Sequence, residues 1–248
     1  MRILILSDIH ANLEALETCM EFAKDKYDRA VCLGDLVGYG PDPNAVVERA
    51  RAATNVLIRG NHDKACSGVT DGSDFNLLAR LATAWTRQQL TAENTSFLRS
   101  LPQGPLLQEG FQLAHGSPED EDEYIFGPGE AHPVLHKVTL QITLFGHTHR
   151  QGGFAMHRYG RFQTIRIPPS EDGLVHTLAL KEGARYLINP GSTGQPRDGD
   201  WRAAFAILDQ DHRQVEYYRI GYNLAFTQTK MMQAGLPQPL IRRLELGR

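Results

Sequence analysis

Val31-Cys32-Leu33-Gly34-Asp35-Leu36-Val37-Gly38-Tyr39-Gly40 is an apolar run that stops at a glycine and a carboxylate. A short apolar run bounded by glycine reads as a buried strand. A carboxylate at the end of such a strand is costly unless it is paired or holds a metal. Taken alone, Asp35 reads as a helix cap or turn residue, but the same pattern recurs four times. Arg2-Ile3-Leu4-Ile5-Leu6-Ser7 runs into Asp8-Ile9-His10, and Asn55-Val56-Leu57-Ile58-Arg59 into Gly60-Asn61-His62-Asp63. Phe111-Gln112-Leu113-Ala114 ends at His115-Gly116, and Leu140 to Phe145 ends in Gly146-His147-Thr148-His149. Five candidate strands thus each end in Asp, Asn or His, and in open α/β sheets the carboxyl ends of strands line the ligand crevice. Asp8/His10 and His147/His149 are spaced i, i+2, which in extended chain puts both side chains on one face.

The surrounding composition narrows the classes. A chain of 248 residues with 41% hydrophobic content can build one large core or two small ones. A net charge of −3 with no Lys/Arg-rich run argues against a nucleic-acid partner. Cys19, Cys32 and Cys66 are odd in number and lack CxxC spacing, so neither a disulfide framework nor a thiolate zinc site is expected. The amino-terminal apolar run is too short for a signal peptide and is interrupted by Asp8, and no segment approaches the ~18 apolar residues of a membrane span. The expectation is a soluble cytoplasmic protein without a membrane partner; the oligomeric state, homodimer included, stays open.

Along the chain, Asn12 caps a helix from Leu13 to about Lys24, and Pro41-Asp42-Pro43 starts a second through Val46, Val47 and Ala50. With strand three and Gly60-Asn61-His62-Asp63 this makes a βαβαβ unit, so the first sheet is predicted to be largely parallel. Residues 64–101 read as a helical insertion on the sheet face. One helix in it carries Leu77, Leu78, Leu81 and Trp85 on its apolar stripe, and a second starts at Thr91 and stops at Pro102. The acidic run Glu119 to Glu123 reads as a solvated loop, followed by a short helix around Ala131 to Val138. After His149 the texture is β. Hairpins are predicted for 154–159 with 161–167, for 175–181 with 185–189, and for 201–208 with 214–220. A helix over about 223–235 and a loose tail after Pro237 complete one predicted domain over 1–248.

The set Asp8, His10, Asp35, Asn61, His115, His147 and His149 holds two carboxylates, one amide oxygen and four imidazoles. Such a set can hold two divalent cations ~3.5–4 Å apart with one carboxylate bridging. Asp35 is the choice for the bridge, being bidentate on a rigid strand end. Mixed N/O donors without sulfur suit Mn, Fe, Zn, Co or Ni over Ca or Mg. Any one of these histidines alone is more often a core or surface residue; the convergence of five strand ends is what favours a metal site.

As a set, the motifs Asp8-Ile9-His10, Gly34-Asp35, Gly60-Asn61-His62-Asp63, His115 and Gly146-His147-Thr148-His149 resemble the calcineurin-like metallophosphoesterases, in matching order over residues 1–149. Asp8-Ile9-His10-Ala11-Asn12 and Gly34-Asp35-Leu36-Val37-Gly38-Tyr39-Gly40-Pro41 look like the small bacterial and archaeal phosphodiesterase branch, which includes diadenosine-tetraphosphatase-like proteins. The resemblance implies a four-layer αββα sandwich of two mixed sheets flanked by helices. It implies one metal on Asp8, His10, Asp35 and His149 and another on Asp35, Asn61, His115 and His147. His62 would then protonate the leaving oxygen or hold the phosphate.

One departure stands out. The related protein phosphatases orient this histidine with an aspartate in a Gly-Asp-x-Val-Asp-Arg-Gly pattern, where Gly38 and Tyr39 stand here. A phosphoprotein substrate is therefore disfavoured, and what orients His62 is left open. The expected function is hydrolysis of small phosphodiesters or nucleotides by a metal-bridging hydroxide. The alternatives are a phosphomonoesterase and a non-catalytic metal-binding or protein-interaction scaffold. Among lesser candidates, Asn189-Pro190-Gly191-Ser192 with Arg197 reads as a turn before it reads as a phosphate contact, and Tyr39 as a loop residue before it reads as a base-stacking one.

Overall fold

Alternate residues of the first apolar run serve two different cores. In β1 (Arg2–Leu6), Ile3 and Ile5 pack between two sheets while Leu4 and Leu6 pack under helices, as the period of two in a strand requires. The computed structural model describes residues 1–248. After β1 come α1 (Leu13–Ala23), β2 (Arg29–Cys32), α2 (Pro43–Ala53), β3 (Val56–Leu57), α3 (Asn61–Ser67), α4 (Leu77–Gln89) and α5 (Ala92–Ser100). The chain continues through β4 (Leu106–Gln108), β5 (Phe111–Leu113), α6 (Pro128–Lys137), β6 (Ile142–Leu144), β7 (Gly152–Met156), β8 (Phe162–Arg166) and β9 (His176–Ala179). It closes with β10 (Arg185–Asn189), β11 (Ala203–Asp209), β12 (Gln214–Ile220), α7 (Leu224–Gln233) and α8 (Gln238–Leu246).

Two six-stranded sheets result, in the orders β3-β2-β1-β11-β12-β9 and β4-β5-β6-β10-β7-β8. Their facing sides share one core of Ile3, Ile5, Val31 and Leu33 against Leu113, Leu144, Tyr186 and Ile188. The outer face of the first sheet is covered by α1 and α2 through Leu16, Met20, Val46 and Val47. The outer face of the second is covered by α6, where Ala131, Val134 and Leu135 meet Phe154, Met156 and Leu187. This is the helix-sheet-sheet-helix sandwich the resemblance implies.

The predicted hairpins form for β7–β8 and β11–β12. The third does not. β9 pairs antiparallel with β12 in one sheet, and β10 lies between β6 and β7 in the other. The two segments are neighbours in sequence, but β10 is buried along nearly its whole length and β9 alternates with exposed residues. A strand buried on both faces goes to a sheet centre and a half-exposed one to an edge. The first sheet is mixed rather than largely parallel, because the fully buried β11 joins β1 antiparallel, with Ile5 opposite Ala206.

Two further expectations are corrected. The tail after Pro237 is ordered as α8, whose Leu240, Ile241 and Leu244 pack with Tyr39, Ala79, Ala82 and Met231. The apolar spacing 240, 241, 244 is a helical stripe that a nine-residue segment hides well in sequence. In α4 the buried face carries Ala79, Ala82, Thr83 and Thr86, and Leu77 and Leu81 of the predicted stripe stay exposed. Small residues let α4 approach its neighbours closely, which the larger ones would prevent. Thr91 caps α5 through the Asn94 amide as predicted, and Asn12 caps α1 through the Ala15 amide.

Candidate metal centre

All five strand-end segments meet at one end of the sandwich. Asp8 and His10 follow β1, Asp35 follows β2, Asn61 opens α3 after β3, His115 follows β5, and His147 and His149 follow β6. The spacing argument does not explain their convergence, because none of these pairs sits in extended chain. Asp8, His10, Asp35, His147 and His149 all adopt the left-handed region, with φ between 49° and 64°. For a residue other than glycine that costs on the order of 1 kcal/mol each, and such residues gather at functional sites. The loops lock one another. The Asp8 amide donates to the Gly34 carbonyl, that of His10 to Asp35, and that of Gly146 to His115.

The ligand atoms form two groups that share Asp35. Asp8, His10, Asp35 and His149 present ligand atoms within 4.8 Å of one another, and so do Asp35, His115 and His147. Asp35 Oδ2 lies 3.6 Å from His10 Nε2 and 3.5 Å from His115 Nε2. Asn61 Oδ1 is 3.2 Å from His115 Nε2, which places it beside the second group.

The chemistry of these donors fits a cation. His10, His115 and His149 each use Nδ1 on a main-chain carbonyl, of Val37, Leu33 and Gln195 respectively, at 3.0, 2.8 and 2.6 Å. A carbonyl only accepts, so Nδ1 carries the proton in the neutral ring and the Nε2 lone pair faces the centre, the arrangement of a metal-binding histidine. His147 reverses this, giving Nε2 to the Asp122 carbonyl at 3.1 Å. His10 Nε2 and His149 Nε2 face each other at 3.1 Å, an approach of two lone pairs that a shared cation relieves. Asp8 Oδ2 accepts from Ser7 Oγ and the His147 amide, while its buried Oδ1 has no hydrogen-bond partner and lies 3.3 Å from His149 Nε2.

Without a cation these groups perturb one another. Burial, reinforced by the Asp35 charge, raises the Asp8 carboxyl to about 6. Burial drives His10, His147 and His149 well below the ordinary imidazole range. His115 goes the other way: burial opposes its charge, but the Asp35 carboxylate overrides that and holds it up at about 10. A cation must therefore displace the His115 proton, so metal uptake releases protons and strengthens as pH rises.

His62 joins this centre from helix α3, which Gly60-Asn61-His62-Asp63 opens, so Asn61 and His62 project from adjacent helical positions. The His62 ring is packed by Tyr39 (centroids 4.4 Å apart), Phe75 (4.5 Å) and His10 (5.0 Å), and its amide donates to Asp35 Oδ1 at 2.8 Å. Its Nδ1 is sealed without a partner against Gly38, where a Cβ would stand 2.6 Å from that nitrogen. Aromatic packing and the space left by Gly38 thus hold the ring that an aspartate orients in the protein phosphatases. Burial, aided by Arg197, lowers His62 to about 4.

Asp63 is a positioning residue missed in the sequence. Its carboxylate accepts from the amides of Asp35, Leu36, Val37 and Gly60 at 2.8 to 3.3 Å, pinning the Asp35 loop to α3. Gly60 itself touches Asp35, with room for no Cβ: one there would lie 2.1 Å from Oδ1. The signal available was a carboxylate three residues after a glycine at a helix start, the capping-box position.

Asn189 makes a turn, accepting from the Gly191 amide, and its Nδ2 braces Gly146 and Thr148. Ser192 Oγ donates to the Asp8 carbonyl. Tyr39 is 5% exposed and packed on His10 and His62, so it has no free face for a base. The acidic run is only partly solvated: Glu121 is buried and paired with Arg59 and Lys64, and Asp122 both pairs with Lys64 and supplies the carbonyl that orients His147. Tyr124 stacks on His147 with centroids 3.7 Å apart and passes the stack to Phe126. A groove of about 830 Å³ lined by Phe126, Thr148, Arg150 and Trp201 opens beside them.

The family model for calcineurin-like phosphoesterase matches residues 1–151. The uncharacterized protein MJ0912 of Methanocaldococcus jannaschii is 34% identical over 99% of this chain and 98% of its own length. Phosphodiesterase YfcE of Escherichia coli is 27% identical over 85% of this chain and 89% of its own. The crystal structure of a metallophosphoesterase from Sphaerobacter thermophilus superposes over the whole of both chains with a TM-score of 0.86 and 40% identity. That of the Pyrococcus horikoshii protein PH1004 shares the fold, with a TM-score of 0.79 at 20% identity over all of this chain and 98% of its own.

Proposed function

This chain belongs to the calcineurin-like phosphoesterases, and from that premise we propose that it hydrolyses small phosphodiesters or nucleotides at a centre of two divalent transition-metal ions. The observation that carries this is Asp35, the one carboxylate common to both ligand groups. Asp8, His10, Asp35 and His149 would hold one ion, and Asp35, Asn61, His115 and His147 the other. Mn, Fe, Zn, Ni and Co all suit these N/O donors. When bound, such a pair supplies a water acidified towards neutral pH and positive charge for the phosphate oxygens.

The chain's own groups do the rest. His62 faces the crevice beside the Asp35 loop and gives a proton to the departing oxygen. The negative charge of an arriving phosphate ester raises His62 from about 4, so the ring takes up from solvent the proton that it passes to the leaving oxygen. The Tyr124–Phe126 stack and the groove beyond it suit the flat organic part of a nucleotide. Every ligand position and His62 is filled, which favours turnover over a binding scaffold. Three buried, unpaired cysteines suit the reducing cytoplasm.

The test is hydrolysis of bis-(p-nitrophenyl) phosphate. Chelation abolishes it and Mn²⁺ restores it, and a phosphoserine peptide is cleaved with a kcat/KM at least about tenfold lower, the aspartate of the phosphatases being absent. Full activity in chelated protein overturns the proposal. The role given to His62 also predicts the effect of Gly38→Ala. With φ at +86° and the new methyl against Nδ1, the ring must move. The expected result is a loss of about tenfold in kcat with metal content unchanged; a lost metal would show that Gly38 serves the ligand loop instead.

A further inference from the structure

Five histidines lie outside the metal centre: His132, His136, His157, His176 and His212. His157 bonds Gln163 through Nε2 at 2.8 Å, and His212 bonds Asp209 through Nδ1 at 2.9 Å. His176 stands on the half-exposed β9 with no other imidazole against it. Only His132 and His136 meet each other, with ring centroids 4.6 Å apart and planes at 60°. They stand at i and i+4 on α6, both exposed, and no carboxylate or hydrogen-bond partner in the protein engages either ring. A neutral imidazole keeps one nitrogen lone pair for a donor or a metal ion.

The spacing and the ring separation are those of a chelate. Side chains at i and i+4 share one face of a helix. An ion ~2.0–2.1 Å from one nitrogen of each ring lies ~3.2 Å from each centroid, which sets the centroids ~4.5–5.2 Å apart for angles of ~90–110° at the ion. The observed 4.6 Å falls in that range. The helix is also held, so that ordering the pair costs little. Ala131, Val134 and Leu135 lie in the core, and Pro133 fixes φ between the two histidines. Glu130 caps the helix start at the Gly127 amide, and Arg185 donates to the carbonyls of His136 and Val138 at its end. Phe162 packs beside His132, with centroids 5.7 Å apart. The nearby cations are engaged, Lys137 by Glu119 and Arg185 by those carbonyls.

Two imidazoles without a carboxylate favour ions late in the divalent series over Mn, Mg and Ca. We propose that His132 and His136 form an accessory site on α6 that chelates one late transition-metal ion, Zn²⁺, Ni²⁺ or Cu²⁺, with the remaining coordination positions taken by water. The site is separate from the centre at Asp35, since neither histidine belongs to the ligand groups there. It goes beyond the phosphoesterase reading and does not depend on it.

The experiment titrates the Mn²⁺-loaded protein with Ni²⁺ by calorimetry under excess Mn²⁺, and counts bound Ni²⁺ by elemental analysis. The expected result is a Ni²⁺ site in the wild type whose affinity His132→Ala and His136→Ala each weaken by at least about tenfold, since even a partner standing behind a ligand is worth that much. Moving one ring, as His136→Ala with Lys137→His, keeps two exposed imidazoles on α6 but turns one by about 100° around the axis, so binding stays as weak as in His136→Ala. All three variants keep the thermal melt of the wild type without Ni²⁺, which separates lost chelation from lost structure. Equal Ni²⁺ binding by the wild type and both single variants overturns the inference, and so does full affinity in the relocated variant. The site is read as a difference between wild type and variants, so Ni²⁺ that exchanges into the centre at Asp35 adds nothing to it. Turnover is not read, so failure here leaves the phosphoesterase reading standing, and absent hydrolysis leaves this site standing.

Discussion

Exchanging Asp35 for Asn leaves a folded protein with one bound cation per chain and at least about 10³-fold less turnover. The magnitude follows from what the residue joins. Its Oδ2 is within 3.6 Å of ligand nitrogens in both groups, and a single lost cation removes several kcal/mol of charge stabilisation from the phosphate, about 1.4 kcal/mol for each factor of ten. Asn keeps the shape and the acceptor for the His62 amide, now made by Oδ1 at 2.8 Å, so the crevice persists. The change also removes the carboxylate that holds His115 protonated near 10. In the metal-free variant His115 becomes neutral, and the proton release that accompanies metal uptake by the wild type shrinks. Elemental analysis and kcat on bis-(p-nitrophenyl) phosphate decide the matter. Two ions per chain in the variant would reject the shared role of Asp35.

His62→Ala has the next largest effect and separates chemistry from metal binding. The ring packs edge-on against His10 but offers no ligand atom to either group, so both ions are retained. Turnover falls about 10²–10⁴-fold on esters with poor leaving groups, the usual worth of a general acid. It falls by less than about tenfold with p-nitrophenolate, which departs without protonation. An equal loss on both kinds of ester would move His62 to stabilising charge on phosphorus. Loss of an ion would make it a ligand. Removing the ring also frees Tyr39 and Phe75 from their packing partner, so a thermal melt of the metal-loaded variant is compared with that of the wild type.

The elements that carry the candidate ligands were legible because each has a local cause. Short apolar runs closed by Gly, Asp, Asn or His read as strands with functional ends, and β1, β2, β3, β5 and β6 all fall where those runs lie. Helix α1 was legible from its Asn12 cap and α5 from its Thr91 cap. The seven candidate ligands were named from residue type at strand ends alone, and the tertiary structure brings them into one crevice.

What sequence could not supply depends on contacts between distant segments. The left-handed turns at Asp8, His10, Asp35, His147 and His149 are held by loops that bond segments distant in sequence, so the i, i+2 argument from extended chain does not describe how these residues come together. The separation of β9 from β10 turned on which sheet had a free edge, a global matter. The orientation of His62 by Tyr39, Phe75 and the gap at Gly38 and the anchoring of the Asp35 loop by Asp63 both join elements that no local pattern links. By itself the sequence determined the strand-end candidates and the caps, because these follow from period, turn chemistry and residue type within a few positions. Only the tertiary structure decided strand partners, ring orientations and the neighbours of each charge, because those depend on which surfaces remain to be covered once the two sheets have packed.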